Sequence, residues 1–319
     1  MSGITQLSQE SFDSDGNKAL RTTMAAVGEA VLGKEDQIRM ALCCLLARGH
    51  LLIEDLPGMG TTTLAHALGD ALGLNYQRIQ FTSDMLPADV LGASIFDRDS
   101  ASFRFVPGPV FTQLLLADEV NRTTPKTQSA LLEAMEERQV TIDGVSHPLP
   151  KPFFVIATQN PGSQSGTYPL PESQLDRFLM RIELGYPGHD AERLMLQSGL
   201  SGQHKKSVRQ CMSVEQLIDL QDRVDHVKVS DPLLDYLQRL VDYSRTAADF
   251  AYGLSPRGTL SLLQAAKSWA FIDGRNHVIP EDLQSVLPWV ASHRLASTNG
   301  TLSNGQSLVA QMLDAVDVL

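Results

Sequence analysis

The chain predicts an α/β fold in which a parallel β-sheet lies between helices and a smaller all-α domain follows. Short apolar runs of strand length alternate with stretches of helical periodicity as far as about Leu184. One of these strands runs through a glycine-rich turn straight into a helix. Beyond "GYPGHD" the strand-like runs stop and helical spacing takes over, so those turn residues divide the chain into segments 1–187 and 188–319.

Each element follows from its local pattern. After a polar start, "ALRTTMAAVGEAVLGKEDQIRMALCCLLARG" repeats apolar residues at helical spacing, is broken at Gly33 and ends at Gly49. Two helices result. Cys43 and Cys44 fall inside that apolar pattern and read as core, and with Cys211 they are too few for a disulfide framework. "HLLIE" is a buried strand, "TTTLAHALGDALG" an amphipathic helix closed by Gly73, and "YQRIQF" a second strand. "SIFDRDSASFRFVPGP" reads as a hairpin or loop interrupting the helix expected after that strand. "QLLLADE" and "FFVIATQN" are further buried strands, separated by the helix "PKTQSALLEAMEER" and by "RQVTIDGVSHPL", where Asp143-Gly144 between alternating residues signals a hairpin. Strand and helix in alternation give a parallel sheet covered on both faces. The helical segment includes "SVEQLIDLQDRVDHV", "PLLDYLQRLVDYSRTAAD" and "RGTLSLLQAAKSWAFID".

Composition excludes several functions. The net charge is -11 over 319 residues and the longest basic run is "HKK", so clustered cations for gripping nucleic acid or anionic lipid are missing. No nucleic-acid partner is expected. Neither an apolar run of membrane-spanning length nor a charged-then-apolar leader is present, so the chain is expected in the cytoplasm without membrane insertion.

The turn after the first strand carries chemistry. A phosphate-binding loop has glycine, four residues, then Gly-Lys-Ser/Thr, placed so that backbone N–H groups and a helix N-terminus surround the phosphates. The matching window here, Asp55 to Thr62, reads "DLPGMGTT". Asp55 stands at the first glycine, a position it can tolerate because Asp visits left-handed conformations. Thr61 stands at the lysine and removes the charge that would reach the β- and γ-phosphates. Gly58 and Gly60 remain, and Thr62 keeps the hydroxyl for Mg²⁺. Downstream, "LLLADEVNR" ends a strand in Asp118, suited to hold Mg²⁺ through water, and Glu119, suited to polarise an attacking water. The next strand ends near Asn160, whose amide could orient that water. Three polar strand ends at one edge of a parallel sheet point to a nucleotide site.

At these residues the chain resembles the MoxR branch of the AAA+ ATPases. The resemblance runs from about Ala25 to Leu295 and is carried by "VLGKEDQI", "LPGMG", "RIQFTSDMLPADVLG", "FRFVPGPVFTQLLLADEVNRTTPKTQSALLEAMEERQVTIDG", "FFVIATQNPGSQSGTYPLPESQLDRFLMRI" and "LSPRGTLSLLQAAKSWA". It implies an AAA+ P-loop NTPase core followed by a helical lid. It also implies ATP/ADP and Mg²⁺ as cofactors: Val31, Leu32 and Gly33 would border the adenine; Pro57, Gly58, Met59, Gly60, Thr61, Thr62 and Thr63 the phosphates; Thr62 and Asp118 the metal. Asp118 and Glu119 would form the Walker B pair and Asn160 sensor 1. Arg177 would be an arginine finger reaching an adjacent subunit, and Arg257 sensor 2 on the lid. "SIFDRDSASFRFVPGP" corresponds to a helix-2 insert and "RQVTIDGVSHPL" to the pre-sensor-1 hairpin, elements that line the pore or face substrate in related rings.

The implied activity is ATP-driven, chaperone-like remodelling or maturation of protein clients, commonly ones with a von Willebrand A domain, by a homo-oligomeric ring, a hexamer. Thr61 opens an alternative, a non-hydrolysing nucleotide-binding scaffold or regulator. A nucleic-acid motor is disfavoured by the acidic balance. Because the rest of the site is complete, Thr61 reads as an isolated change, natural or introduced, in a lineage of working ATPases, and this chain is expected to be hydrolysis-deficient.

Overall fold

The computed structural model describes residues 14–99, 101–160, 166–200, 208–298 and 305–318. Helices α1 (Ser14–Ala30) and α2 (Glu35–Leu46) lead to strand β1 (Leu51–Glu54), the glycine-rich turn and α3 (Thr61–Leu72). Strand β2 (Tyr76–Gln80) is followed by the short helix α4 (Pro87–Leu91) and a hairpin of β3 (Gly92–Asp97) and β4 (Ser102–Pro107). Then come β5 (Leu114–Asp118), α5 (Pro125–Glu137), a second hairpin of β6 (Gln139–Ile142) and β7 (Val145–Pro148), strand β8 (Phe154–Gln159), the turn α6 (Glu172–Leu175) and β9 (Met180–Ile182). The rest is helical, α7 (His189–Leu200), α8 (Val214–Asp225), α9 (Asp231–Thr246), α10 (Pro256–Ile272), α11 (Pro280–Ala291) and α12 (Gly305–Ala315), apart from a small ladder of β10 (Phe250–Tyr252) with β11 (Ala296–Ser297). No helix among the described residues is long and apolar enough to cross a membrane.

The central sheet has the order β2-β5-β8-β1-β9 and every pairing in it is parallel. Its three inner strands, β5, β8 and β1, are apolar on both faces because both are covered, whereas edge strand β2 carries polar residues. Leu51, Ile53, Leu114, Leu116, Phe154 and Ile156 join the core shared with α1, α2, α3 and the C-terminal helices. The alternate residues Leu52, Leu115, Ala117, Val155 and Ala157 join the opposite core, packed with α5. Cys43 and Cys44 are fully buried in the first of these.

Two details depart from the sequence-based expectation. The helix after β2 is one short turn, and after the hairpin it does not resume; the chain reaches β5 through turns, since Pro107-Gly108-Pro109 cannot carry a helical ladder. The sheet also gains β9, which the pattern did not reveal: it is three residues long with Arg181 in its middle. The second hairpin forms as expected, with Asp143 at φ 51° and Gly144 at φ 79°, the paired positive values of a two-residue hairpin turn. The two hairpins meet where Phe105 stacks on His147 at 4.0 Å, while Ile95, Phe96 and Phe103 of the first remain exposed.

Candidate active site

Parallel register brings the carboxyl ends of β1, β5 and β8 to one edge, where Glu54 aligns with Gln159 and Ala117 with Ala157. A cleft of about 400 Å³ opens there, lined by the turn residues Asp55 to Gly58 and Gly60 to Thr63 together with Arg78, Gln80, Asp118, Glu119, Thr158, Gln159 and Asn160. Positive φ falls at Gly58 (90°) and Gly60 (99°), and a Cβ at either would meet nothing within 4 Å. It is therefore the left-handed backbone, not crowding in the folded chain, that asks for glycine here. Gly60 caps α3, whose N-terminal N–H groups open on the cleft beside Thr61, Thr62 and Thr63. Met59 instead turns inward and packs against the core.

Asp55 corrects one expectation. It is not left-handed; its carboxylate accepts hydrogen bonds from its neighbour Leu56 N (2.8 Å) and from Leu184 N and Gly185 N (both 2.7 Å). The residue that replaces the first glycine therefore fastens the loop to the segment leaving β9. Nearby, Glu54 accepts from Gln159 Nε2 (2.6 Å) and pairs with Arg181 (2.8 Å), whose other nitrogen reaches Ser292 at the end of α11 (3.4 Å).

The two strand-end carboxylates are separately held. Asp118 Oδ1 accepts from Thr158 Oγ1 (2.7 Å), and Asp118 Oδ2 pairs with Arg78 Nη2 (2.6 Å). Glu119 is in the left-handed region at φ 56°, ψ 50°, a conformation that a non-glycine residue adopts at a cost of about 1 to 3 kcal/mol and keeps only where its surroundings enforce it. Thr158 Oγ1 supplies part of that enforcement by accepting Glu119 N–H at 2.8 Å. The Glu119 carboxylate itself accepts from Gln80 Nε2 and Arg122 Nε, both at 3.0 Å. Asn160 follows β8 directly and its carbonyl accepts from Asn121 Nδ2 (3.2 Å). Two carboxylates with different partners, a neighbouring amide and a helix N-terminus form a site able to take a phosphorylated, metal-bound ligand and polarise a water toward it.

Arg177 and Arg257 stand apart from this cleft. Arg177 Nη2 pairs with Glu136 Oε2 at 2.9 Å, and Arg257 pairs with the other oxygen of the same Glu136, at the end of α5. A second carboxylate, that of Asp176 beside Arg177, ties the two segments together: it accepts from Ser255 Oγ (3.0 Å), the N-cap of the helix that carries Arg257, and from buried Arg294 Nε (2.7 Å). Val31, Leu32 and Gly33 do not line the cleft either. Gly33, at φ 67°, lies so close to α7 that a Cβ would come within 2.9 Å of Ala191 Cβ. The adjacent Lys34 is buried, its ammonium donating to Leu184 O (2.6 Å) and Tyr186 O (2.7 Å).

Thr158, Arg78, Gln80 and Glu136 were not singled out from sequence. Arg78 and Gln80 had a signal, alternation on "YQRIQF", which sends both to one face of the strand. Glu136 had none.

Comparison with known proteins agrees with this architecture. The profile of the "ATPase family associated with various cellular activities (AAA)" matches residues 50–180 and that of the AAA lid domain residues 242–311. The chain is 40% identical over 310 residues to the "Uncharacterized protein YeaC" of Bacillus subtilis, covering 96% of this chain and 97% of that one. It is 38% identical over 294 residues to the "Chaperone MoxR1" of Mycobacterium tuberculosis, covering 89% and 78%. A crystallographically solved protein of Cytophaga hutchinsonii superposes with a TM-score of 0.88 at 34% identity, covering 95% of both chains. With a core and a helical segment that match these two family profiles and relatives named MoxR over most of its length, the chain belongs to the MoxR branch of the AAA+ ATPases.

Proposed function

We propose that this chain is a ring-forming, nucleotide-dependent remodeller of protein clients in the cytoplasm, slowed in hydrolysis by Thr61. The carrying observation is the division of the site: Gly58, Gly60, Thr62, Asp118, Glu119 and Asn160 gather at one cleft, while Arg177 and Arg257 share Glu136 outside it. A site with its arginines elsewhere is half a site. A second copy supplies the missing half when two chains meet head to tail, and such heterologous contacts close into rings, here a hexamer.

The residues present fit a magnesium nucleotide in all but one respect. Left-handed Gly58 and Gly60 and the N-terminus of α3 offer donors to phosphate oxygens, and Asp118 and Thr62 would hold the metal, leaving Thr61 as the misfit. Bound Mg²⁺·ATP would supply the leaving diphosphate and the charge neutralisation. Glu119 takes the proton of the attacking water, Asn160 orients that water, and Arg177 and Arg257 of the neighbouring copy face the terminal phosphate. Val31, Leu32 and Gly33 border the adenine, and residues 188–319 act as the lid whose position responds to the nucleotide. The client reading rests on the MoxR-named relatives, and von Willebrand A-domain proteins are the clients proposed. Thr61 favours one other reading, a scaffold that binds nucleotide without turnover.

Subunit mixing tests this. In the Thr61→Lys background, Glu119→Gln and Arg177→Ala chains should each be inactive alone, and mixing them should restore ATPase activity because some interfaces then pair an intact Glu119 with an intact Arg177. No restoration in mixtures that co-sediment as a ring would refute the shared site.

A further inference from the structure

Three carboxylates, Asp55, Asp118 and Glu119, line the phosphate cleft, and among the described lining residues Arg78 is the one cation. A cleft meant for a triphosphate is then acidic unless that guanidinium takes part. Asp55 is engaged by three backbone N–H groups, and Glu119 by Gln80 and Arg122. Arg78 projects from the edge strand beside Leu116, two residues before Asp118 on the neighbouring strand, which sets its head group at the metal-binding end of the cleft. Both of its hydrogen bonds, to Asp118 Oδ2 at 2.6 Å and Gln80 Oε1 at 3.1 Å, are made by one nitrogen, Nη2. The Nε and Nη1 donors have no partner among the described residues, and the side chain is 45% exposed.

We propose that Arg78 is the phosphate-binding cation of this chain, engaging the terminal phosphate of a nucleoside triphosphate in the place left empty of charge by Thr61. The proposal rests on the nucleotide-site reading above. Without nucleotide, Arg78 and Asp118 neutralise each other. A divalent cation is a harder and more highly charged partner for the Asp118 carboxylate than a guanidinium, so its arrival with the nucleotide releases Arg78. The freed fork has five N–H donors and a planar geometry that matches two oxygens of one phosphate. Its planar fork is pre-organised, so less freedom is lost per hydrogen bond formed than with a flexible ammonium. If Arg78 only fastened Asp118, it would treat ATP and ADP alike.

Calorimetric titration of the full chain with ATP, ADP and AMP, with Mg²⁺ and with EDTA, separates these cases. The unaltered chain is measured first: failure to bind either ATP or ADP overturns the nucleotide-site reading and the proposal with it. Given binding, Arg78→Gln should weaken ATP on the order of ten- to a hundredfold and ADP by less than about threefold, and only with Mg²⁺ present. Arg78→Lys, which keeps a charge without the fork, should lose less. In the Thr61→Lys background the cost of Arg78→Gln should shrink, because two cations then share one phosphate. Equal losses for ATP and ADP, an ATP loss that persists in EDTA, or the same cost in both backgrounds would overturn Arg78 as the phosphate cation while leaving the nucleotide site standing. Thermal melts of each variant confirm that the half-exposed substitution leaves the fold intact.

Discussion

Placing lysine at position 61 adds one charge at the phosphate cleft, and the structure bounds what it does. Thr61 is the first residue of α3, directly after left-handed Gly60, and its side chain lines the cleft. The four-carbon stem of Thr61→Lys thus enters open cleft and displaces no core atom. In the absence of nucleotide the new ammonium lies at a helix N-terminus, the wrong end of the macrodipole, at a cost of about 0.3 to 1 kcal/mol, so the empty protein should melt slightly earlier. With ATP bound the balance reverses. Threonine offers one neutral hydroxyl and cannot reach a terminal phosphate, whereas a charged donor placed on developing charge contributes about 2.7 to 4 kcal/mol in comparable sites. That gain exceeds the dipole penalty several-fold and corresponds to roughly a hundred- to a thousandfold in turnover. Steady-state ATPase measurements on both forms, at equal chain concentration and saturating Mg²⁺·ATP, give the ratio, and Glu119→Gln in the lysine form should abolish the gain. Equal rates in the two forms, or a lysine form indifferent to Glu119→Gln, would show that this cleft is not a hydrolytic site lacking one charge.

Three further outcomes follow from named contacts. Glu136→Gln removes the carboxylate shared by Arg177 and Arg257; in the lysine form turnover should fall about tenfold or more with ATP affinity held within about twofold, measured by turnover alongside nucleotide titration, because the two guanidiniums lose their common orientation. Asp55→Ala strands the amides of Leu184 and Gly185 and should destabilise the fold by about 2 kcal/mol in urea unfolding, with Asp55→Asn losing less. His50 is buried with its pKa lowered to about 4, chiefly by desolvation, and its Nδ1 accepts Val155 N–H while Nε2 donates to Met135 O. The unfolded chain therefore takes up this proton near pH 6.5 and the folded chain only near 4, so this residue's share of stability is whole above 6.5 and declines as pH falls toward 4. By pH 5 the loss should be about 2 kcal/mol, and the unfolding free energy of His50→Gln should lack that part of the slope between pH 5 and 8.

Much of this molecule was legible along the chain because the relevant patterns are local. Short apolar runs of strand length marked β1, β5 and β8, alternation marked β2, and the Asp143-Gly144 turn marked the second hairpin, while the spacing of Gly58, Gly60 and Thr62 after a strand marked the loop without any knowledge of its surroundings. Asp118, Glu119 and Asn160 were found for the same reason, as polar residues ending apolar strands that parallel register carries to one edge. What the tertiary structure decided are the pairings between elements remote in sequence. Strand β9 is too short to announce itself and exists because Leu51 to Ile53 offer it a ladder. Asp55 looked like a tolerated glycine substitute, yet its carboxylate meets amides 129 and 130 residues away. Glu136, unremarkable on a helix surface, becomes the common partner of two arginines from different segments, and Arg78 becomes the cleft's cation because β2 lies beside β5. Local periodicity is written in the order of residues, whereas the electrostatic environment of a charge depends on which distant groups folding brings within a few ångströms of it.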